Sequence, residues 1–326
     1  MLSVAVPRWG ADGEAALKKL LEARQPMDWA YFLDQALRQQ VVSMVGRNLS
    51  RHLPKDKVIV PHLWIYSAAY EANARRNRSL FTEFGRILAE LNRHKVRHAV
   101  RKGPSLCALV YDDPGMRWMN DLDILIERGS LEDAIGVLVD LGYAQGVLSA
   151  NGSRVVAYER KTKLFWAVHL NNALPFVKPT TDPEVQSFEV DLCLDLFQKR
   201  SSGRIDVGEV LDRARPTVIC GERSFALSPL DQLIDICLHL YKEATSYLSI
   251  SRGRDLNLLR FIDVTESLRA TPPGDLARLP RYAQNVGAQR ELYYVLYHAS
   301  LLYPHAVPDD LLELLEPQDR SYLDEY

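Results

Sequence analysis

Apolar residues recur at helical spacing over both ends of the chain, and the spacing drops to two in the middle. Residues 15–23, 28–53 and 61–93 are rich in Ala, Leu, Arg and Glu with few breakers inside, which predicts helices. Residues 96–100 read as a short strand. Next come Lys102-Gly103-Pro104-Ser105 and an apolar stretch, Leu106 to Tyr111, that predicts a helix. Leu122, Ile124 and Ile126 then alternate with Asp121 and Asp123, so a strand there buries one face and carries both acids on the other. Residues 130–141 predict a helix, 163–170 a strand with a charged start, and 187–197 another alternating strand. Past the loop 199–203, residues 217–220 and 224–227 look like short strands. Ser228-Pro-Leu-Asp231 is a capping box with Pro at the first helical position. Leu230, Leu233, Ile234, Cys237, Leu238 and Tyr241 follow as a core-facing stripe, and 255–268, 280–302 and 308–315 predict later helices. The expected organisation is a helical region over 1–95, a mixed α/β core over 96–227 and a helical region over 228–326.

Composition narrows the class of partner more than the fold. The 326 residues supply ample material for a core, in one large domain or two smaller ones. A net charge of −2 offers no general attraction to nucleic acid or membranes, so a long polynucleotide acceptor is disfavoured without being excluded. Cys107, Cys193, Cys220 and Cys237 have no C-x-x-C spacing and imply neither a zinc site nor a disulfide framework. The start of the chain is too short in apolar residues for a signal peptide, and no segment has the length of a membrane span. The expectation is a cytoplasmic protein.

The chemistry suggested by the pattern centres on Asp121 and Asp123. Two carboxylates on one strand face repel unless a cation lies between them, and hard oxygen pairs suit Mg²⁺. Two acids merely shown to solvent remain open on this motif alone. Upstream, Gly103 allows close backbone approach, and a helix starting near Pro104 would aim free N–H groups at an anion such as a triphosphate. Lys102 adds a full positive charge.

Strand, Gly turn, helix, an Asp-Asp-Pro-Gly turn (112–115) and an Asp-x-Asp strand together resemble the nucleotidyltransferase superfamily, of polymerase-β-like fold. The nearer resemblance is to a bacterial branch with a Lys-Gly turn, a Tyr, Pro-Gly-x-Arg and Asp-hydrophobic-Asp, here Lys102, Gly103, Tyr111, Pro114, Gly115, Arg117, Asp121 and Asp123. The resemblance implies a nucleoside triphosphate substrate and a Mg²⁺ site held by Asp121, Asp123 and a third carboxylate on a neighbouring strand. Asp191 fits best, with Glu189 as the fallback; Cys193 stands where a His often follows. It also implies phosphate binding at Lys102, Gly103 and Ser105, although Pro104 intervenes where the superfamily has Gly or Ser. Arg117 has two open roles, holding phosphate oxygens or neutralising the acids.

Other residues are discounted. Asp231, Asp235 and His239 have a spacing that could hold a metal, but solvation on a helix face explains them better. His169, Asn171 and Asn172 are candidate substrate contacts, and Arg160, Lys161 and Lys163 fit a charged edge strand better than a triphosphate site. The resulting expectation is Mg²⁺-dependent transfer of a nucleoside monophosphate to an acceptor, a small molecule or peptide rather than nucleic acid. The rivals are an inactive nucleotide-binding partner protein and a toxin-like transferase acting on RNA.

Overall fold

The computed structural model describes residues 4–8, 10–21, 27–53, 60–111, 113–253 and 255–324. Residues 1–3, 22–23 and Asp112, which belong to the expected N-terminus, first helix and turn, lie outside these. The chain opens with α1 (Ala11–Leu21), α2 (Trp29–Arg38), α3 (Val42–His52) and the long α4 (Leu63–Arg93). The helix expected over 28–53 is two helices, because Gln40 takes a left-handed φ of +57° directly after α2. Asp28 caps α2, its Oδ1 accepting the Tyr31 N–H at 2.9 Å.

The central segment alternates strands with short helices: β1 (His98–Arg101), α5 (Lys102–Leu109), β2 (Asp121–Ile126), α6 (Leu131–Asp140), β3 (Ala144–Leu148), β4 (Val155–Ala157), α7 (Arg160–His169), β5 (Phe176–Pro179), β6 (Ser187–Cys193), α8 (Val207–Asp212), β7 (Arg215–Ile219) and β8 (Glu222–Ala226). Among the described residues eight strands form one mixed sheet in the order β4-β3-β5-β6-β2-β1-β8-β7. β2 lies at its centre, antiparallel to β1 and parallel to β6. β7 and β8 meet in a tight turn in which Cys220 and Gly221 both have positive φ, the geometry that suits a two-residue hairpin.

Period-two alternation divides this sheet into two faces. Leu122, Ile124, Ile126, Val190 and Leu192 pack against Leu80, Phe84, Ile87, Leu88 and Leu91 of α4 and against α6. Each such side chain contributes about 1.5–3 kcal/mol by leaving water. The opposite face carries Ala99, Leu125 and Cys193 into a second core with the C-terminal helices α9 (Pro229–Thr245), α11 (Leu258–Ala270), α12 (Pro273–Leu276), α13 (Leu279–Val286), α14 (Gln289–Leu302) and α15 (Asp309–Leu315), while the short α10 (Tyr247–Ser251) buries no side chain in it. The architecture is therefore α/β, a mixed sheet with helices on both sides. The helix expected over 280–302 is broken at Gly287, whose φ of +74° ends α13. Ser228 caps α9 as its sequence suggests, with Pro229 at the first position.

One expected strand is a helix. Residues 163–169 belong to α7 and Leu170 follows it as the C-cap, although Phe165, Trp166 and Val168 have strand propensity. The Trp166 Nε1–H donates to the carbonyls of Asn172 and Ala173 at 3.0 and 3.1 Å, folding the following loop back on the helix. Nothing pairs with the segment as a strand, and such tertiary anchoring overrides a weak local preference. Arg160, Lys161 and Lys163 accordingly lie on an exposed helix, not on an edge strand. Among the described residues no helix is long and apolar enough to cross a membrane, and all four cysteines are free thiols.

Candidate active site

The register of three central strands aligns charged side chains in rows. Arg101 of β1 is opposite Asp123 of β2, which is opposite Asp191 of β6. Two residues earlier, Asp121 is opposite Glu189. Because side chains alternate, these groups share the face turned toward the C-terminal helices. Asp123 is buried, Asp121 and Asp191 are partly buried, and Glu189 is exposed at the rim. Asp191 is thus the acid beside the buried member of the pair, and Glu189 is the outer one.

The turn into α5 brings the counter-charge. β1 runs into α5 without a spacer, which forces Lys102 into a left-handed φ of +48°, a conformation costing on the order of 1–3 kcal/mol. The Lys102 Nζ donates to Asp123 Oδ1 at 2.9 Å. The Cys193 thiol, pushed up to about 12 chiefly by burial and so kept protonated, lies 3.8 Å from the same oxygen as a weak donor. It holds the position where the resembling family often has His. Gly103 packs closely: a Cβ there would lie 3.3 Å from Met119 Cβ and 3.4 Å from an Arg117 nitrogen. Ser105 lies beneath, its hydroxyl buried without a hydrogen-bond partner.

The acids do not titrate alike. Burial would raise Asp123, but the charges of Lys102 and Arg101 outweigh it and hold this carboxyl well below the usual range. Asp121 is pushed up to about 6, first by burial and then by the charge of Asp123. Asp191 rises to about 7 by burial and by the charges of Asp123 and Asp121. Lys102 and Arg101, the latter already bonded to Asp235, thus favour the charged form of Asp123, while Asp121 and Asp191 stay raised. Among the described residues no three His, Cys, Asp or Glu side chains are drawn into a ready-made metal cluster.

Arg117 stands beside the acids, but its guanidinium is bonded to a different partner. Its Nε and Nη2 donate to the two oxygens of Asp263 on α11 at 2.8 and 2.6 Å, and its Nη1 donates to the Trp118 carbonyl at 3.2 Å. The Tyr111 hydroxyl donates to Asp263 at 2.7 Å. Its fork is filled by Asp263 and its side chain is buried, although it borders the small cavity that Asp121 and Asp123 also line. It locks the loop before β2 to α11. The same loop is held from α4. Asn73 and Asn77 donate to the Arg117 carbonyl at 3.2 and 2.8 Å, and Arg76 reaches Asn120 at 2.6 Å. Gly115 is required by close approach, since a Cβ would fall 2.8 Å from Ala74 Cβ and 3.0 Å from the Tyr70 ring.

Two cavities meet at Lys102 and His239. One, of about 150 Å³, is lined by Lys102, Gly103, Asp121, Asp123, His239, Glu243 and Arg260 among others. The other, of about 320 Å³, includes Asn171, Asn172, Asp195, His239 and Lys242. Asn171 and Asn172 thus stand where substrate contacts are expected. His169 instead stacks on Phe165, ring centroids 4.5 Å apart. Solvation does not describe the α9 polar residues. Asp235 is buried and forks onto Arg101, its Oδ2 accepting from Nε at 3.0 Å. Asp231 is fully buried beneath Arg213. His239 bonds Glu243 at 3.1 Å, and Glu243 accepts from Arg260 at 3.2 Å. Burial, then the charge of Lys102, lowers His239 to about 4, so its ring is neutral at pH 7. The sequence reading takes Asp235 and His239 for a solvated face and passes over Asp263 and Glu243. The available signal was that an acid inside an otherwise apolar helical run needs a partner.

A mixed sheet with an Asp-x-Asp strand at its centre, a third acid in register and a Lys-Gly helix start define a nucleotidyltransferase. The match of residues 25–304 to the family model described as uncharacterised nucleotidyltransferase places the chain in that family, whose activity class is nucleotidyl transfer from a nucleoside triphosphate. No curated protein and no solved structure matches the chain.

Proposed function

We propose that this protein transfers a nucleoside monophosphate from a nucleoside triphosphate to a small-molecule or peptide acceptor, releasing pyrophosphate, with Mg²⁺ held by Asp121, Asp123 and Asp191. The observation that carries this reading is the alignment of Asp123 with Asp191, beside Asp121 and facing Lys102. The donor set suits a hard divalent cation: oxygen ligands only, partly shielded from water, with Asp121 and Asp191 both pushed up by burial and then by neighbouring acids. When bound, Mg²⁺ would neutralise the triphosphate and the departing pyrophosphate and favour ionisation of the acceptor.

The chain's own groups do the positioning. Lys102, released from Asp123, donates to phosphate oxygens at the start of α5, where the backbone N–H of Gly103 adds a further donor. Ser105 is the third phosphate candidate, its buried hydroxyl being without a protein partner. The acceptor oxygen or nitrogen attacks the α-phosphorus, the bond from that phosphorus to the pyrophosphate oxygen breaks, and the acceptor's proton passes to a base. Asp191 either completes the metal site or takes that proton. The cavity beyond His239 receives base or acceptor.

A second reading, a catalytically inactive nucleotide-binding partner, is favoured by the Lys102–Asp123 ion pair, in which an ammonium already satisfies the buried carboxylate. Incubation of the protein with each labelled triphosphate, Mg²⁺ and a cell extract separates them. A labelled acceptor that is absent with D121N/D123N supports transfer. Mg²⁺-independent nucleotide binding with no labelled product supports the inactive partner.

A further inference from the structure

On the side of β7 and the start of α9 lies a separate cavity of about 750 Å³, the size of site that accommodates small ligands. Four guanidiniums line it, from Arg213, Arg215, Arg278 and Arg281, against one carboxylate, Asp275. None of these residues lines the two cavities around the aspartates. Clustered guanidiniums repel one another unless an anion lies among them, so the arrangement calls for a counter-charge.

Three of the arginines are held ready. Arg213 forks onto the fully buried Asp231 at 3.2 and 3.0 Å, bonds the Tyr282 hydroxyl at 2.9 Å and lies 5.6 Å over that ring. Arg215 reaches Asp275 at 3.4 Å, and Arg278 bonds the other oxygen of the same carboxylate. Asp275 thus orients two arginines with one negative charge. Arg281 stands three residues beyond Arg278 on α13, on the same side of the helix. Asp231 and, at 3.6 Å, Glu209 pair with Arg213, and Asp275 serves Arg215 and Arg278, so three acids against four guanidiniums leave an excess of about one positive charge, on the Arg215, Arg278 and Arg281 side. Pro229, Leu230 and the Tyr282 ring supply an apolar wall beside them.

We propose that this cavity is a binding site for a small phosphate-bearing ligand of nucleotide size, distinct from the cleft around Asp121 and Asp123. Guanidinium forks match phosphate oxygens in paired fashion; Arg215 and Arg278 each give one nitrogen to Asp275 and keep the rest of the fork, while Arg213, filled by Asp231 and Tyr282, adds charge. An aromatic and aliphatic wall suits the non-phosphate part of such a molecule. The inference stands independently of the nucleotidyl-transfer reading.

The test is calorimetric titration of the full chain, in EDTA, with inorganic pyrophosphate and with a nucleoside diphosphate. Wild type should bind, more weakly as salt rises. D121N/D123N should bind equally well, which separates this site from the metal-dependent cleft. R278A/R281A should bind at least about tenfold more weakly, a loss of about 1.4 kcal/mol. R281E, which leaves both carboxylate pairings intact, should weaken binding while keeping the melting temperature. The proposal is overturned if neither probe binds wild type, if the arginine variants bind as wild type does, or if D121N/D123N abolishes binding. It is also overturned if a single-stranded oligonucleotide competes more tightly than the diphosphate, since that would make the groove a nucleic-acid surface.

Discussion

Neutralising Asp121 should stabilise the metal-free protein at alkaline pH and leave it unchanged in acid. Asp121 and Asp191 rise from an ordinary 3.8 to about 6 and about 7. The folded protein therefore binds more protons than the unfolded chain between about pH 4 and 7. Their stabilising contribution is present below the unfolded value and is lost as pH rises through the folded values. At about 1.4 kcal/mol per tenfold change in proton affinity, the shifts correspond to about 3 and 4 kcal/mol. The two share one repulsion and lie partly exposed, where water screens it, so about 2–3 kcal/mol is expected for the pair. His239 works oppositely: lowered to about 4, it costs stability as pH falls from 6.5. The difference between wild type and D121N isolates the acids. Urea unfolding at about pH 4 and about pH 8 in EDTA should show D121N gaining about 1–2 kcal/mol over wild type at the higher pH and little at the lower. Excess Mg²⁺ should close that gap by stabilising wild type. A difference that is flat with pH, or that favours wild type at about pH 8 in EDTA, would refute the charge-crowding argument.

Three further outcomes are expected. D121N/D123N should lower transfer by several powers of ten and abolish the rise in melting temperature that Mg²⁺ with nucleoside triphosphate gives wild type, read by labelled-nucleotide transfer and thermal melts. D263A should cost about 3–5 kcal/mol, since it strands the buried guanidinium of Arg117 and the Tyr111 hydroxyl, whereas the paired replacement R117M/D263L should recover most of this in urea unfolding; tighter nucleotide binding by wild type than by a folded R117M/D263L would place Arg117 in the nucleotide site. G115A should cost about 1–3 kcal/mol, because its methyl meets α4 at contact distances backbone shifts must relieve, and unfolding within error of wild type would contradict that packing.

The sequence by itself determined the local devices. Alternation of period two set Asp121 and Asp123 on one strand face and Glu189 and Asp191 on one face of another. Ser228 and Pro229 marked the start of α9, and the Lys102-Gly103 turn marked the start of α5. These depend on neighbours a few residues apart, and the physical rules that govern them act over that range. Only the tertiary structure decided what lies opposite. That β6 lies beside β2 in the register pairing Asp123 with Asp191 is a product of sheet order, which nothing local encodes. Arg117 and Tyr111 read as motif residues near a triphosphate, yet their partner Asp263 lies 146 and 152 residues away. Asp235 and Asp231 looked like a solvated stripe because α9 was read with one buried face; packing against both sheet and helices buries it on nearly every side. Residues 163–170 have strand composition, but 163–169 fold as helix, with Trp166 bonding the loop that follows. A strand requires a partner and a buried charge requires a counter-charge, and both arrive from distant parts of the chain.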